Sequence, residues 1–479
     1  MPPEDSVIQG LIQLVGPGAV LHRQEDLMAY ECDGYTVHKA VPRAVVFPST
    51  TEEVSAVVKF LHQRKISFVP RGAGTGLSGG AIPLNGEVII SLVRMKKLLH
   101  VDYENRRAVV QPGFVNLKLT HSIAGKGYYY APDPSSQYAC TIGGNVAENA
   151  GGAHCLKYGV TTNHILGLEV VLADGEVVEF GGMPDQPGYD LVGLLTGSEG
   201  TLGIVTKITV RILKNPEGKK TVLAYFDRVQ DASQAVSDII AAGIVPAALE
   251  MMDRIAIEGV EAGNYPVGHP KDLEALLLIE VDGIIAGLDE QIDEIRKICH
   301  KRNVREIKVA ADEQERGRWW ANRKTAFAAM GAISPDYLVQ DGVIPRSRLP
   351  EVLAKIDEIS RQSGLRIANV FHAGDGNLHP LILYDARIPG QTQLAVDVGS
   401  RVLQACAEVG GSITGEHGVG IEKLEEMRLI FTDEELAAQI RIRDVFNPHQ
   451  LLNPGKLFPT PGRCAEMKKG TQTERGRSS

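Results

Sequence analysis

The chain is poor in cysteine and has none in a paired spacing. Cys32, Cys140, Cys155, Cys299, Cys406 and Cys464 are scattered through 479 residues, with no C-x-x-C among them. That excludes an iron–sulfur cluster held within this chain and fits a reducing, cytoplasmic compartment. Positive charge is also short: 50 Lys and Arg stand against 59 Asp and Glu, a formal net charge of −9. A nucleic-acid partner is therefore not expected, and an anionic substrate would need positive charge supplied locally by an Arg or a metal. No apolar run approaches the roughly 18 residues of a membrane span. The opening MPPEDSVIQG lacks the basic and apolar parts of a leader. No repeat of fixed period is present.

What is present is an ordinary globular composition, 43% hydrophobic and 23% charged, in a chain too long for one core. Up to Asn215-Pro216-Glu217-Gly218, short strands alternate with turns: Val41 to Val46, Ile66 to Val69, EVIISL, RRAVVQPG, a hairpin around Asp174-Gly175, and TLGIVTKITVRIL. Thr50 and Glu53 form a capping box for the helix EEVSAVVKFLHQRK. Beyond Lys220, strands such as EALLLIEVDG are separated by long amphipathic helices, which predicts helices covering one face of a mostly antiparallel sheet. The expected division is residues 1–215, residues 216–445, a segment 446–460 docking back on the first part, and a polar, disordered tail 461–479.

Gly74-Thr75-Gly76-Leu77-Ser78-Gly79 matches G-x-G-x-x-G after a strand. A Rossmann unit needs a helix next, but AIPLNGEV carries Pro83 and Asn85-Gly86. No Lys-Ser/Thr follows, so a Walker loop is excluded too. A nest of backbone N–H groups remains, with Arg71 beside it, able to hold a phosphate. Two more glycine-dense runs, PDPSSQYACTIGGNVAENAGGAHCLKYG and GSEGTLGI, point to a long cofactor with a diphosphate and a ring system.

In Phe371-His372-Ala373-Gly374-Asp375-Gly376-Asn377-Leu378-His379, apolar runs flank a Gly-Asp-Gly-Asn turn. A hairpin with Gly374 to Asn377 as its loop sets His372 opposite His379, with Cβ atoms about 5 Å apart. Two neutral imidazoles at that spacing suit a divalent cation, the alternative being a hydrogen-bonded structural pair. Gly415-Glu416-His417-Gly418 offers a third ligand.

Together PRGAGTGLSGG, PDPSSQYACTIGGNVAENAGG, LTGSEGTLGIVT, HAGDGNLH, GEHGVG and NPGKLF resemble the vanillyl-alcohol oxidase family of flavoproteins. The likeness is closest to the D-2-hydroxy-acid dehydrogenase branch that includes the D subunits of bacterial glycolate oxidases. It implies an α+β fold: a two-part FAD-binding domain of p-cresol-methylhydroxylase type plus an α+β cap with a mostly antiparallel sheet. Pro70, Arg71, Gly72, Ala73, Gly74, Thr75, Gly76, Ser78, Gly79 and Gly80 would wrap the FAD diphosphate. Pro132, Asp133, Ser135, Thr141, Gly144 and Asn145 would line the ring and ribityl region. Gly200 and Ile204 would contact the adenine half, and Asn453 and Lys456 would return to the flavin. Some relatives attach FAD through a His where this chain has Gly74-Thr75-Gly76, so the FAD is expected to be non-covalent.

By the same resemblance His372, His379 and Glu416 bind a divalent metal, expected to be zinc. His417 is the general base, and Arg323 clamps the substrate carboxylate. The implied reaction oxidises a small D-2-hydroxy acid, glycolate or D-lactate, to the 2-oxo acid by hydride transfer to flavin N5. Diacid-specific relatives carry a Lys in the segment matching YLVQDG, where this chain has Val339 and Gln340. The alternative is a stand-alone D-lactate or D-2-hydroxyglutarate dehydrogenase. The glycolate-oxidase likeness adds a second FAD-fold subunit and an iron–sulfur subunit as expected partners, through which the protein would meet the membrane.

Overall fold

The computed structural model describes residues 6–182 and 188–459; the expected tail lies outside them. The first half holds two larger sheets and a two-stranded one, Tyr128–Tyr129 with Leu213–Lys214. In one, Ala44–Val46, Val88–Ser91 and Phe68–Arg71 run parallel, with Val20–Leu21 antiparallel at the edge. Their branched side chains are buried with those of helix Thr51–Gln63. Thr50 caps that helix by accepting from Glu53 N at 3.2 Å, while the Glu53 carboxylate reaches Ser49 N rather than Thr50. The second sheet is five-stranded and antiparallel, ordered Leu98–Asp102, Arg107–Val110, Ile204–Arg211, Ile165–Val171, Val177–Gly181. The C-terminal segment returns to the first sheet: Phe68 N donates to Leu451 O and Asn453 N to Phe68 O, both at 2.8 Å.

The second half is a nine-stranded sheet whose pairings are all antiparallel. Helices cover both of its faces, not one. Alternate residues of Gly218–Phe226 sort the layers: Val222, Ala224 and Phe226 face Val229–Ala241, Leu288–Lys301 and Leu349–Ser363. Leu223 and Tyr225 face Arg254–Ala262 and the helix Glu313–Lys324. That second layer is invisible in the sequence because Glu313–Lys324 carries charge on most of its length and buries only a narrow face.

The histidine hairpin forms with its register shifted by two residues. His372 pairs with Asn377, and the loop is Ala373 to Gly376. Gly376 takes the left-handed position, φ 83°, and Asp375 Oδ1 accepts from Asn377 N at 3.1 Å, an Asx turn the expected loop would not have made. Because side chains alternate with a period of two, an even shift leaves His372 and His379 on one face. Their ring centroids are 5.0 Å apart.

Candidate active site

Strand Phe68–Arg71 delivers the chain into the glycine loop, where Gly74 and Gly79 have φ of 72° and 78°. A cavity of about 420 Å³ opens against it. Of the expected cofactor residues, Pro70 to Gly76, Gly80, Ser135, Thr141, Gly144, Asn145, Gly200 and Ile204 line it. Ser78, Gly79, Pro132, Asp133, Asn453 and Lys456 do not; most of them brace the wall from behind. Asn453 Nδ2 donates to Gly80 O (3.1 Å) and Glu199 O (2.8 Å), and Lys456 Nζ to Ile82 O (2.6 Å). Pro132 O accepts from Asn116, and Gly79 packs against Ile421. Arg71 lines the cavity with its Nη2 donating to Cys32 O at 2.8 Å beneath Gly74. The glycines are sterically required. A Cβ at Gly72 would fall 2.6 Å from Thr141 Oγ1, and one at Gly200 2.7 Å from Pro70 Cγ. A wall whose main chain is this closely packed at Gly72 and Gly200 fits an extended cofactor such as FAD.

The far end of this cavity is lined by Glu416 and His417, together with Lys324, Phe327, Ala328 and Tyr337 from the cap. The histidines of the hairpin meet Glu416 behind that wall. His379 Nε2 is 3.0 Å and His372 Nε2 3.4 Å from Glu416 Oε1. The three offer ligand atoms within 4.8 Å of one another, as do Asp341, His379 and His417. Both nitrogens of His379 and Glu416 Oε2 are buried without a hydrogen-bond partner. Orphaned donors and acceptors converging in this way fit a divalent cation.

Two carboxylates unmarked in the sequence hold the cluster together. Glu250, on strand Ala248–Asp253, takes His372 Nδ1 at 2.8 Å and the Arg323 guanidinium. This orients the His372 ring with Nε2 toward Glu416, as an outer partner does for a metal-ligating imidazole. Asp341 is fully buried and gathers the loop bearing the reactive pair: Thr414 Oγ1 (2.6 Å), Gly415 N (2.9 Å), Glu416 N (3.1 Å) and His417 N (2.8 Å). Fully buried Lys423 stands 3.6 Å from it.

Burial opposes the charge of Glu416, yet the adjacent His372 and His379 imidazoles hold its carboxyl well below the usual range. Burial also dominates at His417, pushing its imidazole down to about 4 against the pull of Asp341. His417 is thus neutral near pH 7 with a free lone pair, the form a proton acceptor needs. Its ring stacks on His379 at 4.9 Å, and Nε2 lies 3.8 Å from Glu416 Oε1. Arg323 is 4% exposed, paired with Glu250 and absent from the cavity wall.

Comparison with known proteins agrees with this layout. Residues 42–181 match the FAD binding domain, and residues 215–457 match FAD linked oxidases, C-terminal domain. The chain is similar to glycolate oxidase subunit GlcD of Escherichia coli, 48% identical over 96% of this chain and 93% of the relative. The subunit of the same name from Bacillus subtilis is 37% identical, covering 95% and 97%. A D-lactate dehydrogenase of Archaeoglobus fulgidus is 34% identical over 86% of this chain and 90% of its own. In fold the chain is similar to p-cresol methylhydroxylase, with TM-score 0.80 and 19% identity over 94% of this chain and 96% of that one.

Proposed function

The chain belongs to the FAD-linked oxidases, an FAD-dependent oxidoreductase family, and from that premise we propose that it oxidises glycolate or D-lactate to the 2-oxo acid. The observation that carries this reading is one continuous cavity whose one end is the glycine cradle and whose other end is Glu416 and His417. When bound, FAD supplies the hydride acceptor and a divalent cation, with zinc expected for this donor set, supplies Lewis acidity.

The protein's own groups do the rest. His417 accepts the substrate hydroxyl proton at Nε2, while Asp341 fixes the backbone that aims it. Positioned base catalysis of this kind contributes about 10²–10⁴-fold. His372, His379 and Glu416 hold the cation, and the substrate carboxylate goes to Arg323, whose Nε has no hydrogen-bond partner. Val339 and Gln340 carry no charge for a second carboxylate, which favours a monoacid over a diacid.

The electrons leave through other proteins. The relatives named as glycolate oxidase subunits support a complex, for which a second FAD-fold subunit and an iron–sulfur subunit are the proposed members. Among the described residues no helix is long and apolar enough to cross a membrane, so the proposed membrane association runs through those partners.

Anaerobic addition of glycolate, D-lactate and D-2-hydroxyglutarate to the purified flavoprotein tests the reading. The monoacids are expected to bleach the flavin. Preference for the diacid would move the assignment to the 2-hydroxyglutarate enzymes, and a colourless protein would end it.

A further inference from the structure

The helix Glu313–Lys324 presents one face to Glu280 and Asp133 and a neighbouring one to Glu250. Arg316, Trp320 and Lys324 recur at intervals of four and therefore share one stripe. Arg316 and Trp320 Nε1 bind the fully buried Glu280 at 2.7–2.9 Å. Lys324 Nζ is 3.1 Å from Asp133 Oδ2. His154 closes the network: Nδ1 is 2.9 Å from Asp133, Nε2 is 3.6 Å from Glu280, and its ring stacks on Trp320 at 5.4 Å. Arg323, on the neighbouring face, is turned to Glu250.

The cations of this network are not placed alike. Burial disfavours a charged His154, but Asp133 and Glu280 outweigh that and raise its pKa to about 9. Arg316 pairs with Glu313 at 2.6 Å as well as with Glu280, so Arg316, His154 and Lys324 face three carboxylates, Asp133, Glu280 and Glu313. Of the three cations only Lys324 lines the cavity. The wall's other strong base, Arg71, is committed to Cys32 O.

Resting on the proposed substrate class, we infer that Lys324 is a substrate-binding residue: it supplies a second positive charge, on the cavity side of Arg323, for the 2-hydroxy acid's carboxylate. Asp133 is its positioning residue, since a flexible ammonium is otherwise free to turn to solvent. His154 shares the same Asp133 oxygen, so that carboxylate is not committed to the ammonium alone. The arrangement also explains why Asp133, a member of the flavin-side loop, lies off the cavity wall: its role is toward the cap.

The test uses holoenzyme and oxamate, a non-oxidisable isostere of the product, titrated by its perturbation of the flavin spectrum. Lys324→Met is expected to weaken oxamate binding and raise KM for glycolate by roughly 10- to 100-fold, the loss of one charged hydrogen bond, with kcat changed only a few-fold. Lys324→Arg should restore both. Unchanged oxamate affinity in K324M overturns the inference while wild-type turnover leaves the proposed function standing; a lowered kcat with unchanged affinity does the same. A wild type that neither binds oxamate nor is reduced by any 2-hydroxy acid removes both. K324Q repeats the readout, and loss of FAD from both variants would make Lys324 structural and also overturn it.

Discussion

The cradle and the reactive cluster are built in opposite ways. The cradle is main chain: three contiguous runs whose glycines let backbone approach a ligand, with side chains such as Arg71 and Asn453 bracing from behind. The cluster is side chain: Glu250, Arg323, Asp341, His372, His379, Glu416 and His417 arrive from well-separated segments and hold each other by charge. A backbone site fails by crowding, whereas a charge site fails by leaving a partner stranded. The two should therefore break under different substitutions and show different losses.

The largest expected effect is on the charge side. His417→Ala should slow anaerobic flavin reduction by about 10²–10⁴-fold with FAD still bound; near-normal reduction would remove His417 from the proton step. Glu250→Ala strands Arg323 and His372 as buried cations and should lower stability by about 3–5 kcal/mol in chemical denaturation. A loss below about 1 kcal/mol would show that these groups are solvated. On the backbone side, Gly200→Ala puts a Cβ against Pro70 at a φ of 66°, a strain of about 1–3 kcal/mol. FAD retention on dialysis should drop while the proposed metal of the cluster is kept. Gly151→Ala sits where the regions touch: its Cβ would fall 2.4 Å from Glu416 Oε2. It should reverse that pattern, keeping FAD and losing metal, and equal loss of both would blur the distinction.

The smallest effect contrasts two acids three residues apart on one strand. Glu250 is buried beside two cations that hold its carboxyl low, so its stabilisation is lost as pH falls. Asp253 is half-buried on the other face, where amide donors from Ala256 and Asn369 only partly offset desolvation, and its pKa rises to about 6. The folded state then binds the extra proton, so stability declines as pH rises from about 4 to 6, on the order of 1–2 kcal/mol. Asp253→Asn should flatten that decline in urea melts across this range.

Much of this was legible in the residues because glycine runs and the His-containing turns are local. The strand Ala248–Asp253 was not: Glu250 sits in an apolar stretch, ALEMMD, with no motif around it, and its partners lie 73 and 122 positions away. Asp341 is likewise anonymous until the fold brings Thr414 to His417 over it. The hairpin shows the complementary case. Composition located the turn but not its register, which Gly376 and the Asp375 side chain chose, and the pairing of the imidazoles survived because the slip was even. His154 gave no signal at all, since its meaning comes from Asp133 and Glu280 on separate halves.

Glu199 accepts the amides of Val419 and Gly420 at 2.7 Å each, its own backbone in a left-handed turn at φ 52°. The acid belongs to the flavin-side half and the amides to the strip immediately past His417. Parting the halves would break both bonds at once, so this one carboxylate pins the strip that carries His417 against the half that holds the glycine loop.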